Sequence, residues 1–362
     1  CFGYRDGGGR KKAVGRFGGS QATESSVEAA LRWLARHQEK DGSWDARKYE
    51  ATAGGSDNTR IRVGCTGLAL LAFLGAGYTE KSGPFADNVA RAEHWLMKQQ
   101  KPNGMIAEVQ SGGGEIAAGY NHAVAGLALA EAYGMGKNAE IGQVAQKAVD
   151  YSVKTHQVAY GGWRYDAKQE GDTSVTGWFV MQLKSAKIAG LQVDGAGFQG
   201  AMKFLDGVTD KEGRACYGPD GHTTKSSSMT AVGMVCRQFM GAANTDPLLV
   251  KQAEMLAAKP PKWVPQNGIH DPQEPYYWYY GTLAMFQMGG RYWEAWNATL
   301  KPTLVNNQCK ANGQALDGSA ADKDGSWDAD SGWGPTGGRV YHTAINALSL
   351  EVYYRYLPMY TK

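Results

Sequence analysis

Five polar side chains stand five residues ahead of a small residue in five apolar segments. They are Arg62, Asn121, Asp172, Ser228 and His342, counted back from Gly67, Gly126, Gly177, Gly233 and Ala347. A further segment aligns near Tyr277. Joined by Tyr120, His122, Trp278, Tyr279 and Tyr341, these residues could form a polar and aromatic rim over an apolar floor, the usual form of a ligand site. Asparagine, aspartate and serine are also favoured helix N-caps, so Asn121, Asp172 and Ser228 have a purely structural use as well.

Other chemistry is less complete. Glycoside hydrolysis needs two carboxyls facing each other across a cleft, and Asp172, Glu115 and Glu274 are the nearby candidates, tied by no spacing rule. The run Tyr276 to Tyr280 (YYWYY) could stack on sugars or pack an inner wall. Asp322, Asp324, Asp328 and Asp330 alternate with other residues but lack the order of an EF-hand loop, so a solvated loop is expected. The cysteines are Cys1, Cys65, Cys216, Cys236 and Cys309; with no CxxC pair and an odd number they do not read as a disulfide framework.

The elements that must position these residues come from a repeat. Trp33-Leu34, Gln38, Gly42 and Trp44 define a pattern, WLARHQEKDGSW. It returns at Trp95-Leu96, Gln100, Gly104 and Ile106, and again at Val153, Gln157, Gly161 and Trp163. A degraded copy reads Phe204-Leu205, Thr209, Gly213; a fifth keeps little beyond Met255-Leu256; a sixth runs from Leu304 and Gln308 through an insertion to Gly325-Ser326-Trp327. Six units of roughly 50 to 60 residues fill the chain, a period typical of repeat architectures. In each, an amphipathic helix precedes one that is apolar nearly all round. Val27, Leu31 and Leu34 share one face of the first such helix, and Ser25 with Glu28 fits a capping box at its start. A helix apolar on every side must be covered on every side. The expected fold is therefore all-α, an (α/α)6 toroid with six inner helices inside six outer ones.

Within each turn the glutamine can bond backbone groups of its own helix end and of a neighbour. The glycine permits positive φ, and the tryptophan buries a large flat surface. The domain reading is a Gly-rich basic arm or linker over 1–24 and a toroid over 25–362. Cys1 permits a processed lipoprotein terminus and equally a truncation.

Composition narrows the function classes. Lys+Arg 38 against Asp+Glu 35, with no basic stripe, argues against a nucleic-acid partner. The 49 glycines follow no collagen period, and 11 Trp and 19 Tyr argue against disorder. Val63 to Thr79 is uncharged but falls short of the ~20 apolar residues of a membrane span, so no transmembrane helix is expected.

The repeat, WL-x3-Q-x3-G-x-W, resembles the QW motif of the terpenoid cyclase and protein prenyltransferase superfamily, and Gly161 to Leu191 looks especially like a squalene-cyclase repeat. The resemblance implies the toroid and offers three activities. Triterpene cyclases of this kind use an Asp-rich D-x-D-D acid; here Gly171-Asp172-Thr173 keeps the final Asp-Thr and lacks its acidic partners. Prenyltransferase subunits bind Zn²⁺ through an Asp, a Cys and a His. His342 in Val340-Tyr341-His342-Thr343 matches the histidine, but His270-Asp271-Pro272-Gln273-Glu274 holds no cysteine, so no metal or other cofactor is expected. Thioester domains need a Cys followed by Gly-Glu-Gln, whereas Thr66-Gly67-Leu68 follows Cys65, which reads as a small buried residue.

The reading that results is a toroid binding a hydrophobic or extended ligand, such as an isoprenoid, in its central cavity. One alternative is an active isoprenoid cyclase with an atypical acid at Asp172. Another is a non-catalytic interaction module of a larger cell-envelope protein, with a protein partner.

Overall fold

The structure is a computed structural model that describes residues 2–51, 61–108, 118–159, 161–167, 169–219, 225–263, 274–310, 316–330 and 332–358. Among the described residues the regular structure is helical. The outer helices are α2 (Gln21–Arg36), α4 (Ala86–Lys98), α6 (Ala139–Asp150), α8 (Gly195–Val208), α10 (Pro247–Ala257) and α12 (Gly290–Val305). The inner helices are α3 (Arg62–Gly75), α5 (Ala118–Gly136), α7 (Thr173–Ala189), α9 (Ser227–Phe239), α11 (Pro275–Met288) and α13 (Gly334–Leu350). Two further helices are α1 (Gly7–Phe17) and α14 (Val352–Arg355). This is the (α/α)6 toroid expected from the repeat.

Burial divides the two rings as their sequences dictate. In α2 the buried residues Thr23, Ser26, Val27, Ala30, Leu31, Trp33 and Leu34 recur at helical spacing, while every residue of α11 is buried. The start of α2 lies earlier than expected. Its capping box is Ser20 with Thr23, not Ser25 with Glu28, and Ser26 is already in the packed face.

Among the described residues, turns between an outer and an inner helix are fastened to the next unit. Gln38 Nε2 donates to Gly42 O and to Asn88 O of α4, both at 2.9 Å. Gln100 does the same to Gly104 O and Val144 O of α6. The turn glycines have φ of +99 at Gly42, +98 at Gly104, +89 at Gly161 and +90 at Gly325. A Cβ on them would lie 2.1 to 2.4 Å from a carbonyl of the following outer helix, at Arg91, Lys147, Gly200 and Ala29 respectively, so only glycine allows the helices this close. The tryptophans are fully buried, and the indoles of Trp44, Trp163 and Trp327 donate to Leu34 O, Ser152 O and Leu304 O, carbonyls at the ends of the preceding outer segments.

Ring closure uses the same device. Gln308 Nε2 donates to Gly325 O and to Ser26 O, both at 2.8 Å, which ties the last unit to the first outer helix. The degraded fourth turn is repaired from outside: Gln252 of α10 donates to Gly213 O at 2.9 Å, where Thr209 cannot reach.

The Gly-rich basic segment is not a loose linker. Asp6 caps α1, which packs on α14, and the buried Arg5 side chain enters the end of the bore where the inner helices finish. There it donates to Glu131 Oε2 at 2.7 Å, Leu74 O at 3.2 Å and Arg355 O at 3.1 Å. Arg355 reaches Glu131 from the other side at 3.2 Å, and the two guanidiniums hold the Glu131 carboxyl down at about 2 against the opposing effect of burial.

Candidate functional site

All six inner helices start at one end of the toroid. A cavity of about 110 Å³ opens there. Its walls are Ile61, Cys65 and Leu68 at α3; Tyr120, Asn121 and Val124 of α5; Trp178 of α7; Tyr276 of α11; and Trp333, Thr336 and Tyr341 at α13. Among the described residues the lining contains no charged side chain. Several polar atoms of the wall turn to one another: Tyr120 Oη donates to Ser174 Oγ at 2.9 Å, Ser174 Oγ bonds Tyr276 Oη at 2.6 Å, and Asn121 Oδ1 accepts the Gly64 amide at 2.8 Å, while the buried Tyr341 hydroxyl has no hydrogen-bond partner among the described residues. Rings and aliphatic chains are most of what remains to meet a ligand.

Three of the residues expected at the rim therefore line this cavity: Tyr120, Asn121 and Tyr341. The others are placed elsewhere. Arg62 turns outward, bonded to Asp41 Oδ2 at 2.7 Å, with its guanidinium over the Trp95 ring. Tyr277 faces α12, edge-on to Trp296, and donates to Lys259 O. Trp278 packs on Trp263. Tyr279 points toward the sealed end, where its hydroxyl accepts from Arg355 and its ring stacks on Trp178.

The register behind the expected rim is corrected by the structure. Thr66 Oγ1, His122 Nδ1, Thr176 Oγ1 and Thr230 Oγ1 are the equivalent positions, each accepting the backbone amide of the turn residue Trp44, Ile106, Trp163 or Ala215. One turn earlier stand Arg62, Ala118, Asp172 and Ser226. Asn121 thus lies inside α5, and the cap of α9 is Ser226, not Ser228. Small residues mark close helix contacts, which fall on different turns of different helices, so they do not fix the register.

His122 serves the wall. With Nδ1 accepting from Ile106, its Nε2 donates to Ser152 Oγ at 2.9 Å. His342 is buried, donates from Nδ1 to Gly338 O at 2.9 Å, and burial pulls its pKa down to about 4. Among the described residues no three His, Cys, Asp or Glu side chains are grouped to hold a metal ion. His270, Asp271 and Glu115 lie outside the described residues.

Asp172 is the N-cap of α7: Oδ1 accepts the Val175 amide at 2.7 Å. The residue is fully buried, and desolvation raises its pKa to about 6, although Tyr217 and Arg164 lie close enough to oppose the shift. Oδ2 has no hydrogen bond of good geometry, although the Tyr217 hydroxyl lies close to the carboxyl, and Arg164 Nε stands 3.9 Å away. The carboxyl does not line the cavity; it sits near Tyr120 and Tyr276, whose rings do.

The sequence did not single out Trp178 or Trp333 as lining residues, and it named Tyr276 only within the run Tyr276 to Tyr280. A helix apolar all round gives no sign of which face meets the bore. The pairing Gly177-Trp178, a small residue beside the largest one on an inner helix, is the one local signal available for Trp178.

What fold and site define is an α/α toroid with an apolar, aromatic cavity at one end. No family profile matches the chain, and no curated protein matches it. Solved structures do resemble it. An inactive variant of an α-1,6-mannanase of Salegentibacter sp., with two aspartates replaced and α-1,6-mannotetrose bound, aligns with TM-score 0.59 at 12% identity over 92% of this chain and 98% of that one. Cellobiose 2-epimerase of Bacillus thermoamylovorans aligns with TM-score 0.60 at 12% identity over 91% and 97%. A type II terpene cyclase from Scytonema, in complex with its product merosterolic acid A, aligns with TM-score 0.54 at 14% identity over 91% and 96%. At such identities the likeness is one of fold, shared by carbohydrate-active and terpenoid enzymes alike.

Proposed function

We propose that the toroid binds an uncharged hydrophobic ligand, inserting a group the size of one aromatic ring or one branched isoprene unit into the cavity at its open end. The observation that supports this is the lining, aromatic and aliphatic, with the Tyr120 and Tyr276 hydroxyls bonded to Ser174 within the wall. The volume sets the scale: a dry apolar cavity of about 150 Å³ accepts benzene, and about 110 Å³ is of that order. A whole triterpene chain is several times too large, so a longer ligand extends out of the mouth. Sugar chemistry, suggested by the carbohydrate-active neighbours, calls for carboxyls and hydrogen-bonding groups that face the substrate. Among the described residues that line the cavity, none is acidic.

A second reading has Asp172 donate a proton to a bound alkene. Its favouring observation is a buried carboxyl with a raised pKa and an unbonded oxygen beside two cavity tyrosines; its role as helix cap counts against it. Toluene titrated into the protein tests the first reading: saturable binding is expected, and it is lost in Leu68→Phe, which fills the cavity. Absence of saturable binding, or binding indifferent to Leu68→Phe, refutes it. Turnover of squalene or a prenyl diphosphate that vanishes in Asp172→Asn would establish the second.

A further inference from the structure

Among the described residues that line the cavity, Trp333 alone is exposed, at 43% of its surface; the remainder are buried or half-buried. Its indole is thus the part of the described wall that meets both the cavity and solvent. It meets Tyr120 across the opening edge to face, with ring centroids 6.4 Å apart.

The backbone beneath it is fixed. Residues 333–337 form one turn in which the Thr336 and Gly337 amides donate to Trp333 O, and α13 then kinks at Gly338 with φ of +56. A Cβ on Gly334 would lie 1.9 Å from Ala329 O, and one on Gly337 would lie 2.3 Å from Tyr341 Cβ. The turn is pressed against both neighbours, and Arg339 N donates to Tyr49 O to anchor its end. An aromatic side chain held on such a scaffold is a wall of defined position.

Resting on the reading that the cavity takes an apolar group, we propose that Trp333 sets the size limit of the site: its indole restricts the cavity to a single ring or branched five-carbon unit and excludes fused two-ring hydrocarbons. The other walls belong to inner helices packed on both sides and cannot retreat without disturbing the core. Removing Trp333 enlarges the cavity on its solvent side and leaves those helices as they are.

The test compares toluene and naphthalene binding to the native protein, Trp333→Ala and Trp333→Phe by calorimetry, with thermal melting to confirm that each variant folds. The native protein is expected to bind toluene and to bind naphthalene at least tenfold more weakly. Trp333→Ala is expected to tighten naphthalene tenfold or more while toluene weakens only a few-fold, with Trp333→Phe between the two. Native binding of toluene with naphthalene affinity unchanged in both variants overturns the size limit and leaves the cavity reading standing. Failure of the native protein to bind either hydrocarbon overturns both.

Discussion

Gln252 offers a sharp test of how the six turns hold the ring together. It lies on α10, outside the glutamine position of the repeat, and yet it supplies the amide that the fourth turn lacks. Gln252→Met keeps the side chain's length and removes that amide. The buried Gly213 carbonyl then loses a donor at 2.9 Å. A lost net hydrogen bond costs about 1 kcal/mol, and a buried group left unpaired brings the total to roughly 2 to 3 kcal/mol. Unfolding entropy of about 2.1 cal/mol/K per residue, over 362 residues, gives roughly 0.8 kcal/mol/K. Thermal melting should therefore fall by about 3 to 4 °C. Gln308→Met, which breaks the equivalent bonds to Gly325 and Ser26, should fall by at least as much. In the Gln252→Met background, Thr209→Gln should restore part of the loss by returning the turn to its repeat form. A Gln252→Met protein melting within about 1 °C of the native one would refute the idea that each turn needs an amide donor.

Two further outcomes follow from buried charge. His342 has a pKa near 6.5 when unfolded and about 4 when folded, so the folded state resists protonation. The stability it confers is complete above pH 6.5 and declines as pH falls toward 4, at about 1.4 kcal/mol per pH unit; chemical denaturation across this range should show the slope, and His342→Gln should flatten it. Arg5→Ala leaves Glu131 with one buried guanidinium instead of two, a change expected to cost about 3 to 5 kcal/mol; a melting temperature lowered by less than about 2 °C would show that the amino-terminal segment is not integral to the barrel.

The architecture was legible in the sequence because it is written redundantly. Six alternations of amphipathic and wholly apolar helices, with Gln, Gly and Trp at fixed offsets, leave little choice but two concentric rings. Local chemistry was less decisive. Ser20-x-x-Thr23 and Ser25-x-x-Glu28 both satisfy a capping pattern, and only packing shows that Ser26 belongs to the buried face. The rim residues were set by an alignment on small side chains, which moved Asn121 and Ser228 to levels they do not occupy. The cavity wall was largely hidden for a different reason. On a helix buried all round, periodicity gives no preferred face, so Trp178 reads the same whether it meets the bore or a neighbour. Arg5 was hidden because a glycine-rich basic stretch has the composition of a linker, and what orders it is a carboxylate more than a hundred residues away.

That insertion makes the two ends of the toroid unequal. With Arg5, Glu131 and Arg355 bonded across the far end, the central passage is a cul-de-sac. On the proposed reading, a group that enters past Trp333 leaves by the same aperture, so arrival and departure share one barrier. A bound group therefore blocks its own replacement. Exchange of one ligand for another must wait for dissociation, and the residence time of the first sets the pace at which the second is taken up.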